Sequence, residues 1–208
     1  YAWKVCTLGQ AMFRGFSERK MEEIFADAKQ NIDKALELNE NDFECHRMLS
    51  AVYLSNHDYL LAEDHGRKAF NMVPNDPRVL SGYGEVLVRI GKVEKGLELL
   101  NKAFELDPIP QGQSTSDNRI KDLILGYFFA EDFNKVVELS FDIRVMDTRS
   151  LALILYSRSK LNQDIKVSSE YQSLKGEFKD TDWEQTIDRF HIQDKEIIKN
   201  LVVFMNTI

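Results

Sequence analysis

Proline and glycine are scarce, at 4 and 10 of 208 residues, which excludes collagen-like and low-complexity chains and leaves little room for long disordered stretches. Cysteine is scarcer still. Cys6 and Cys45 stand far apart and neither belongs to a CxxC pair, so the chain holds no disulfide framework. Both read as small buried apolar residues, and a reducing compartment fits them. No apolar run approaches the ~20 residues that span a bilayer, and no secretory leader pattern opens the chain. Basic charge is short too: 27 Lys and Arg against 34 Asp and Glu give a net charge of −7. A duplex-binding domain would carry a basic face, so nucleic acid is not expected as a partner, and neither is a membrane. The setting that fits is the cytoplasm. The chain opens on Tyr1 rather than Met, inside a helical pattern, which leads to the expectation that it is a piece of something longer.

What is present is a repeat. Lys34-Ala35-Leu36-Glu37-Leu38 is echoed by Lys68-Ala69-Phe70-Asn71-Met72, and again by Lys102-Ala103-Phe104-Glu105-Leu106, each copy 34 residues after the last. The turns that follow repeat as well: Glu40-Asn41-Asp42, Pro74-Asn75-Asp76, then Asp107-Pro108. Within each period a pattern of large, large, small, large residues precedes one of small, large, small. Ala62 and Gly96 are the small residues that let the second helix of a pair approach the first, while Tyr53 and Leu87 fill the space beside them. Gly91 suits the tight turn between paired helices. Pro74 and Pro108 cannot continue a helix and so mark its end.

This period and pattern resemble the tetratricopeptide repeat (TPR). The resemblance implies an all-α, right-handed α-solenoid of about five TPR-like helical hairpins with C-terminal capping helices. The expected divisions are 1–42, a divergent first repeat with a long connection around residues 15–21; 43–76 and 77–110, regular repeats; 111–147, a degenerate repeat after an insertion at 111–116; 148–179, a second degenerate repeat; and 180–208, the caps. In the first repeat Val5, Leu8 and Met12 suggest one helix, and Ala28, Ile32 and Ala35 the other. In the caps, Trp183, Phe190, Ile197, Leu201 and Met205 would cover the open end, as a stack of repeats requires. The long first hairpin, the insertion after Asp107-Pro108-Ile109-Pro110 and the ending Phe190-His191-Ile192-Gln193-Asp194 resemble, more closely, the C-terminal TPR region of bacterial class III adenylate or guanylate cyclases and of winged-helix transcriptional regulators. Neither a cyclase segment nor a winged helix is visible in this chain, so a regulatory or partner-sensing module is implied.

Catalytic and cofactor motifs are lacking. No GxxxxGK[ST], GxGxxG, GxSxG or HExxH occurs, so no enzyme activity, cofactor or metal is expected of this segment. Of the four histidines, His46 falls at a core position of a first helix. His57 and His65 span a turn with Asp58 and Asp64 nearby and could hold zinc only without motif support. His191 reads as a turn residue.

Resemblance to the family places partner-facing positions at the second, fifth, ninth, twelfth and thirteenth residues of each repeat. These include Arg47, Ala51 and Leu54; Arg78, Ser81, Glu85 and Arg89; Lys121, Leu125, Phe128 and Phe129; and Ala152 and Tyr156. Ala51 and Glu85 stand where carboxylate-clamp repeats place amides, which rejects that partner class. Arg47, Arg78 and Arg89 would form a basic strip, and Phe128, Phe129 and Tyr156 an aromatic stretch, the residue types that binding hot spots favour. The competing readings are that the aromatics are core and that Arg89 pairs with Glu85 on its own helix. The expected partner is a protein or peptide. The alternative is a structural or dimerising segment, a homodimer through the C-terminal helices, that positions an upstream domain.

Overall fold

The computed structural model describes residue 4 and residues 19–110 and 117–208. Among these residues it contains eleven α-helices, one 3₁₀ turn and no strand. The expected first helix around Val5, Leu8 and Met12, Cys6, and the insertion at 111–116 lie outside the described residues. The helices are α1 (Met21–Leu38), α2 (Phe43–Ser55), α3 (Tyr59–Met72), α4 (Pro77–Arg89), α5 (Val93–Leu106), α6 (Asn118–Phe129), α7 (Phe133–Ser140), α8 (Thr148–Lys160), α9 (Ser169–Lys175), α10 (Trp183–Asp188) and α11 (Lys195–Thr207). The chain divides into two compact units between Val86 and Leu87.

In the first unit, α2 and α3 form an antiparallel hairpin, with α1 packed on α2. Ala28 and Ile32 of α1 meet Cys45, Met48 and Leu49 of α2 in its core. Ala62, the small residue expected at the crossing, is fully buried. Gly66, one turn on, lies against Tyr83 of α4. A Cβ there would stand 2.6 Å from Tyr83 Cδ2 and 3.0 Å from Ser50 Oγ, so only glycine fits without displacing the ring.

The second unit is organised around α8. Leu151, Ala152, Leu153, Ile154 and Leu155 are all 0% exposed, so this helix is enclosed on every side, as its uninterrupted apolar run requires. Helices α6, α7, α9, α10 and α11 supply the enclosure.

Aspartates start the helices. The side chains of Asp42, Asp58, Asp132, Asp147, Asp182 and Asp194 each accept from backbone N–H groups in the first turn of the helix that follows. Part of the acidic balance is therefore helix capping rather than a charged binding face. The turns inside the hairpins share a second device. Gly91 has φ +84°, and at the matching turns His57, Glu131 and Asn162 have φ between 55° and 59°. After each, a backbone N–H returns five residues: Asp58 to Tyr53, Lys92 to Leu87, Asp132 to Tyr127 and Gln163 to Arg158, at 2.9 to 3.0 Å. This is the Schellman closure, for which glycine is the unstrained residue. Only Gly91 among the four is glycine. Glu131 is exposed, so Glu131→Gly should stabilise the chain by about 1 kcal/mol by relieving left-handed strain. An unchanged or lowered urea midpoint would count against that expectation.

Candidate functional site

In the first unit some of the positions of α2 and α4 expected to face a partner border a small cleft of about 80 Å³. Helix α2 brings Arg47, Ala51 and Leu54 to one face through spacings of three and four residues. Helix α4 brings Val79, Gly82, Glu85 and Val86, and the small residues Gly66 and Ala69 of α3 form the floor. Gly82 was not singled out in the sequence, because it lies outside the family's partner-facing positions. Nothing stands within 4 Å of where its Cβ would be, so the helix opens the cleft here by lacking a side chain.

The electrostatics differ from those expected. Arg47 forks onto Glu44, with Nε and Nη2 donating to the carboxylate at 3.1 and 2.6 Å. Arg78 forks onto Asp76 at 3.1 and 2.7 Å, lies 3.6 Å from Glu44, and sits over the Phe43 ring. Burial alone would raise the Asp76 pKa. The Arg78 side chain and backbone N–H outweigh it and hold the carboxyl below its ordinary value. Two guanidinium groups thus face two carboxylates, and the expected basic strip is charge-paired at Arg47 and Arg78. Ser81, expected to face a partner, is 6% exposed and belongs to the interior. Glu85 remains at the cleft.

The expected sites of the second unit are engaged by the chain itself. Arg89 is 5% exposed, and its Nε donates to the Phe190 carbonyl at 2.9 Å. Lys121 is 4% exposed and paired with Asp147 at 3.0 Å. Phe128 is core, in edge-to-face contact with Phe129, Phe133 and Tyr156. Tyr156 packs edge-on against Phe204, with ring centroids 5.3 Å apart. The aromatic stretch is therefore packing, because α8 and the C-terminal helices close over it.

His46 and His65 meet Nδ1 to Nδ1 at 2.9 Å, and His65 stacks on Tyr53. His57 bonds Tyr59 and occupies a left-handed turn, as does His191. Zinc at His57 and His65 is not supported: among the described residues no group of three or more His, Cys, Asp or Glu could hold a metal ion. Burial, then the neighbouring Asp42, pushes the Cys45 thiol up to about 11, which removes it as a nucleophile near neutral pH. No helix among the described residues is long and apolar enough to cross a membrane.

Two solved structures are similar to this chain, and the first bears on its architecture. MamA AMB-1 superposes with a TM-score of 0.53 at 13% identity, over 78% of this chain and 87% of that one. PilF of Pseudomonas aeruginosa gives 0.43 at 16% identity, over 85% and 91%. MamA is a TPR-containing protein. The fold of this chain is TPR-like. No protein-family model and no curated protein matches its sequence. At these identities the likeness extends to the fold alone, and the cyclase and winged-helix resemblance rests on the sequence pattern.

Proposed function

We propose that this chain is a non-catalytic protein-binding module that takes a polypeptide segment at the cleft of its first unit. The observation that supports this reading most directly is the dent at Gly82. It is apolar at its base, through Ala51, Leu54, Ala69, Val79 and Val86, and polar at its edge, through Arg47 and Glu85. A cleft of about 80 Å³ admits one side chain, not a cofactor or a small-molecule substrate. Because Glu44 and Asp76 neutralise the two arginines, the partner that fits presents an apolar side chain within a segment of mixed charge, not a strongly acidic one. Where it docks, Arg47 can offer its fork only by releasing Glu44, which favours partners carrying a carboxylate of their own. The sequence resemblance supports placing the module in a larger cytoplasmic bacterial signalling protein, beside a cyclase or winged-helix domain.

Two substitutions at one residue test the cleft. Gly82→Ala should stabilise the chain by about 0.5–1 kcal/mol, because glycine inside a helix is unfavourable and the added methyl meets open space. Gly82→Phe should fill the cleft without disturbing the core. In affinity capture from a lysate of the source organism, proteins held by the wild type and by Gly82→Ala should be lost with Gly82→Phe. Equal recovery by all three would show that the cleft is not the binding surface.

A further inference from the structure

The sequence pattern paired His57 with His65 across a turn. In the fold His57 bonds Tyr59 instead, and His65 of α3 faces His46 of α2. The two Nδ1 atoms are 2.9 Å apart, with ring centroids at 5.1 Å and an interplanar angle of 30°. Both rings are held in place. His46 Nε2 lies 3.3 Å from the Glu40 carbonyl, which only accepts, so this ring carries its proton on Nε2 and turns the Nδ1 lone pair towards His65. The Tyr53 ring stacks on His65, 16° from parallel, with centroids 5.5 Å apart. A histidine whose far N–H is bonded to a backbone carbonyl is oriented as metal-ligating histidines are. Distance agrees with this. Two imidazole nitrogens on one tetrahedral zinc, each at ~2.0–2.1 Å, stand roughly 3.3 Å apart, so the pair needs to open by only about 0.4 Å from its 2.9 Å contact. Both imidazoles are neutral near pH 7, as ligands must be, because burial above all lowers both pKa values, that of His65 to about 4. Of the charged side chains that act most on the rings, Lys68 is a cation and Asp33, Asp42 and Asp64 are anions, a balance that admits a positive ion.

We propose that His46 and His65 form a two-ligand site for a divalent transition-metal ion of the zinc class, which clamps α2 to α3. On binding, the His65 proton moves from Nδ1 to Nε2, both Nδ1 lone pairs go to the ion, and no proton is released. Among the described residues no third His, Cys, Asp or Glu completes a set, so water fills the remaining positions. With two protein ligands the ion is exchangeable, unlike the zinc of a closed four-ligand structural site. Imidazole selects zinc and its neighbours, whereas magnesium and calcium take oxygen ligands. The site lies within the first unit and is independent of peptide binding at Gly82.

The test is calorimetric titration of the full chain with zinc near neutral pH, using wild type, His46→Gln, His65→Gln and His57→Asn. Wild type and His57→Asn should each bind one ion per chain. His46→Gln and His65→Gln should each bind at least about tenfold more weakly, since losing a ligand costs no less than losing a group that orients one. A second reading needs no variant. As zinc is added to the wild type, the nitrogen NMR signals of Nδ1 in both His46 and His65 should move, and magnesium should move neither. Zinc binding kept by His46→Gln but lost with His65→Gln and His57→Asn would put the ion at His57 and His65 and overturn the proposal. Undiminished binding by both glutamine variants, no binding by the wild type, or Nδ1 signals that stay in place would overturn it as well.

Discussion

Lowering the pH from 7 to 5 should destabilise the first unit by itself, before carboxylate protonation unfolds the rest. The cause is the pair formed by His46 of α2 and His65 of α3. Nδ1 of one ring lies 2.9 Å from Nδ1 of the other, a distance that needs one N–H and one lone pair. His46 Nε2 lies 3.3 Å from the Glu40 carbonyl, which only accepts. This assigns the Nε2 proton to His46, leaves its Nδ1 as the acceptor, and makes His65 Nδ1 the donor. A second proton on His46 would set two N–H groups against each other. A second proton on His65 would place charge in the semi-buried space between the helices. Burial first, then the electrostatic effects of His46 and Lys68, push the His65 pKa from 6.5 down to about 4, against the opposing pull of Asp64 and Asp33. Burial and Lys68 depress His46 as well, against the Glu40 carbonyl, Asp64 and Asp42.

The sign follows from proton counting. Between pH 6.5 and about 4 the unfolded chain takes up a proton that folded His65 refuses, so stability falls as pH drops through this window and is flat above it. A displacement from 6.5 to about 4 corresponds to at most about 3 kcal/mol, and partial exposure of the ring reduces this to about 2 kcal/mol. His65→Asn keeps a donor near the Nδ1 position and cannot titrate. Urea midpoints measured from pH 7.5 to 5 should slope for the wild type and slope clearly less for His65→Asn, in which only His46 of the pair still titrates. Parallel slopes would mean that the pair does not control acid stability.

How far the sequence exposed this molecule depends on the range of each interaction. The 34-residue echo carried Ala35, Ala69 and Ala103 to matching helix positions, and Ala69 and Ala103 are fully buried, because a repeat writes its local packing into every copy. Gly91 was readable as a turn, since glycine advertises a left-handed backbone. The same turn at His57, Glu131 and Asn162 was not, because the Schellman closure imposes that conformation on residues that do not announce it. The contact between Arg89 and Phe190 was invisible for a different reason: no period links residues 101 apart, and only the folded path of the C-terminal segment joins them. The arginine strip misled because each position was read against an open groove. Glu44 and Asp76, one turn or less away, were already bonded to Arg47 and Arg78. Phe128 and Tyr156 followed the commoner fate of aromatics at helical spacing, which is packing.

Asp117→Ala should be the most damaging of the single substitutions considered, at about 2–3 kcal/mol, because it removes a buried carboxylate that faces the buried Lys121 and bonds two backbone N–H groups. Asp117 immediately precedes α6 and is 2% exposed, yet it does not cap its own helix. Its Oδ2 reaches across to accept from the backbone N–H groups of Arg144 and Val145, at 2.9 and 3.1 Å, and so ties down the connection between α7 and α8. Its Oδ1 faces Lys121 Nζ at 3.9 Å, and the same ammonium is paired with Asp147 at 3.0 Å. Asp147 in turn caps α8 through Ser150 N–H. Burial alone would raise the Asp147 pKa, but Arg149, that N–H and Lys121 hold it below its ordinary value. One carboxylate therefore fixes the end of one hairpin and the start of the central helix. Removing it frees two backbone donors at the exposed residues Arg144 and Val145 and leaves the buried Lys121 with half its counter-charge, and an unsatisfied buried group costs about 1–3 kcal/mol. Asp117→Asn retains an acceptor for the backbone donors and loses only the charge, so it should recover roughly half of the stability lost by alanine. Chemical denaturation of both variants, followed through Trp183 in the second unit, separates the two effects. A loss below about 1 kcal/mol for alanine would show that the connection between α7 and α8 is held by something other than this carboxylate.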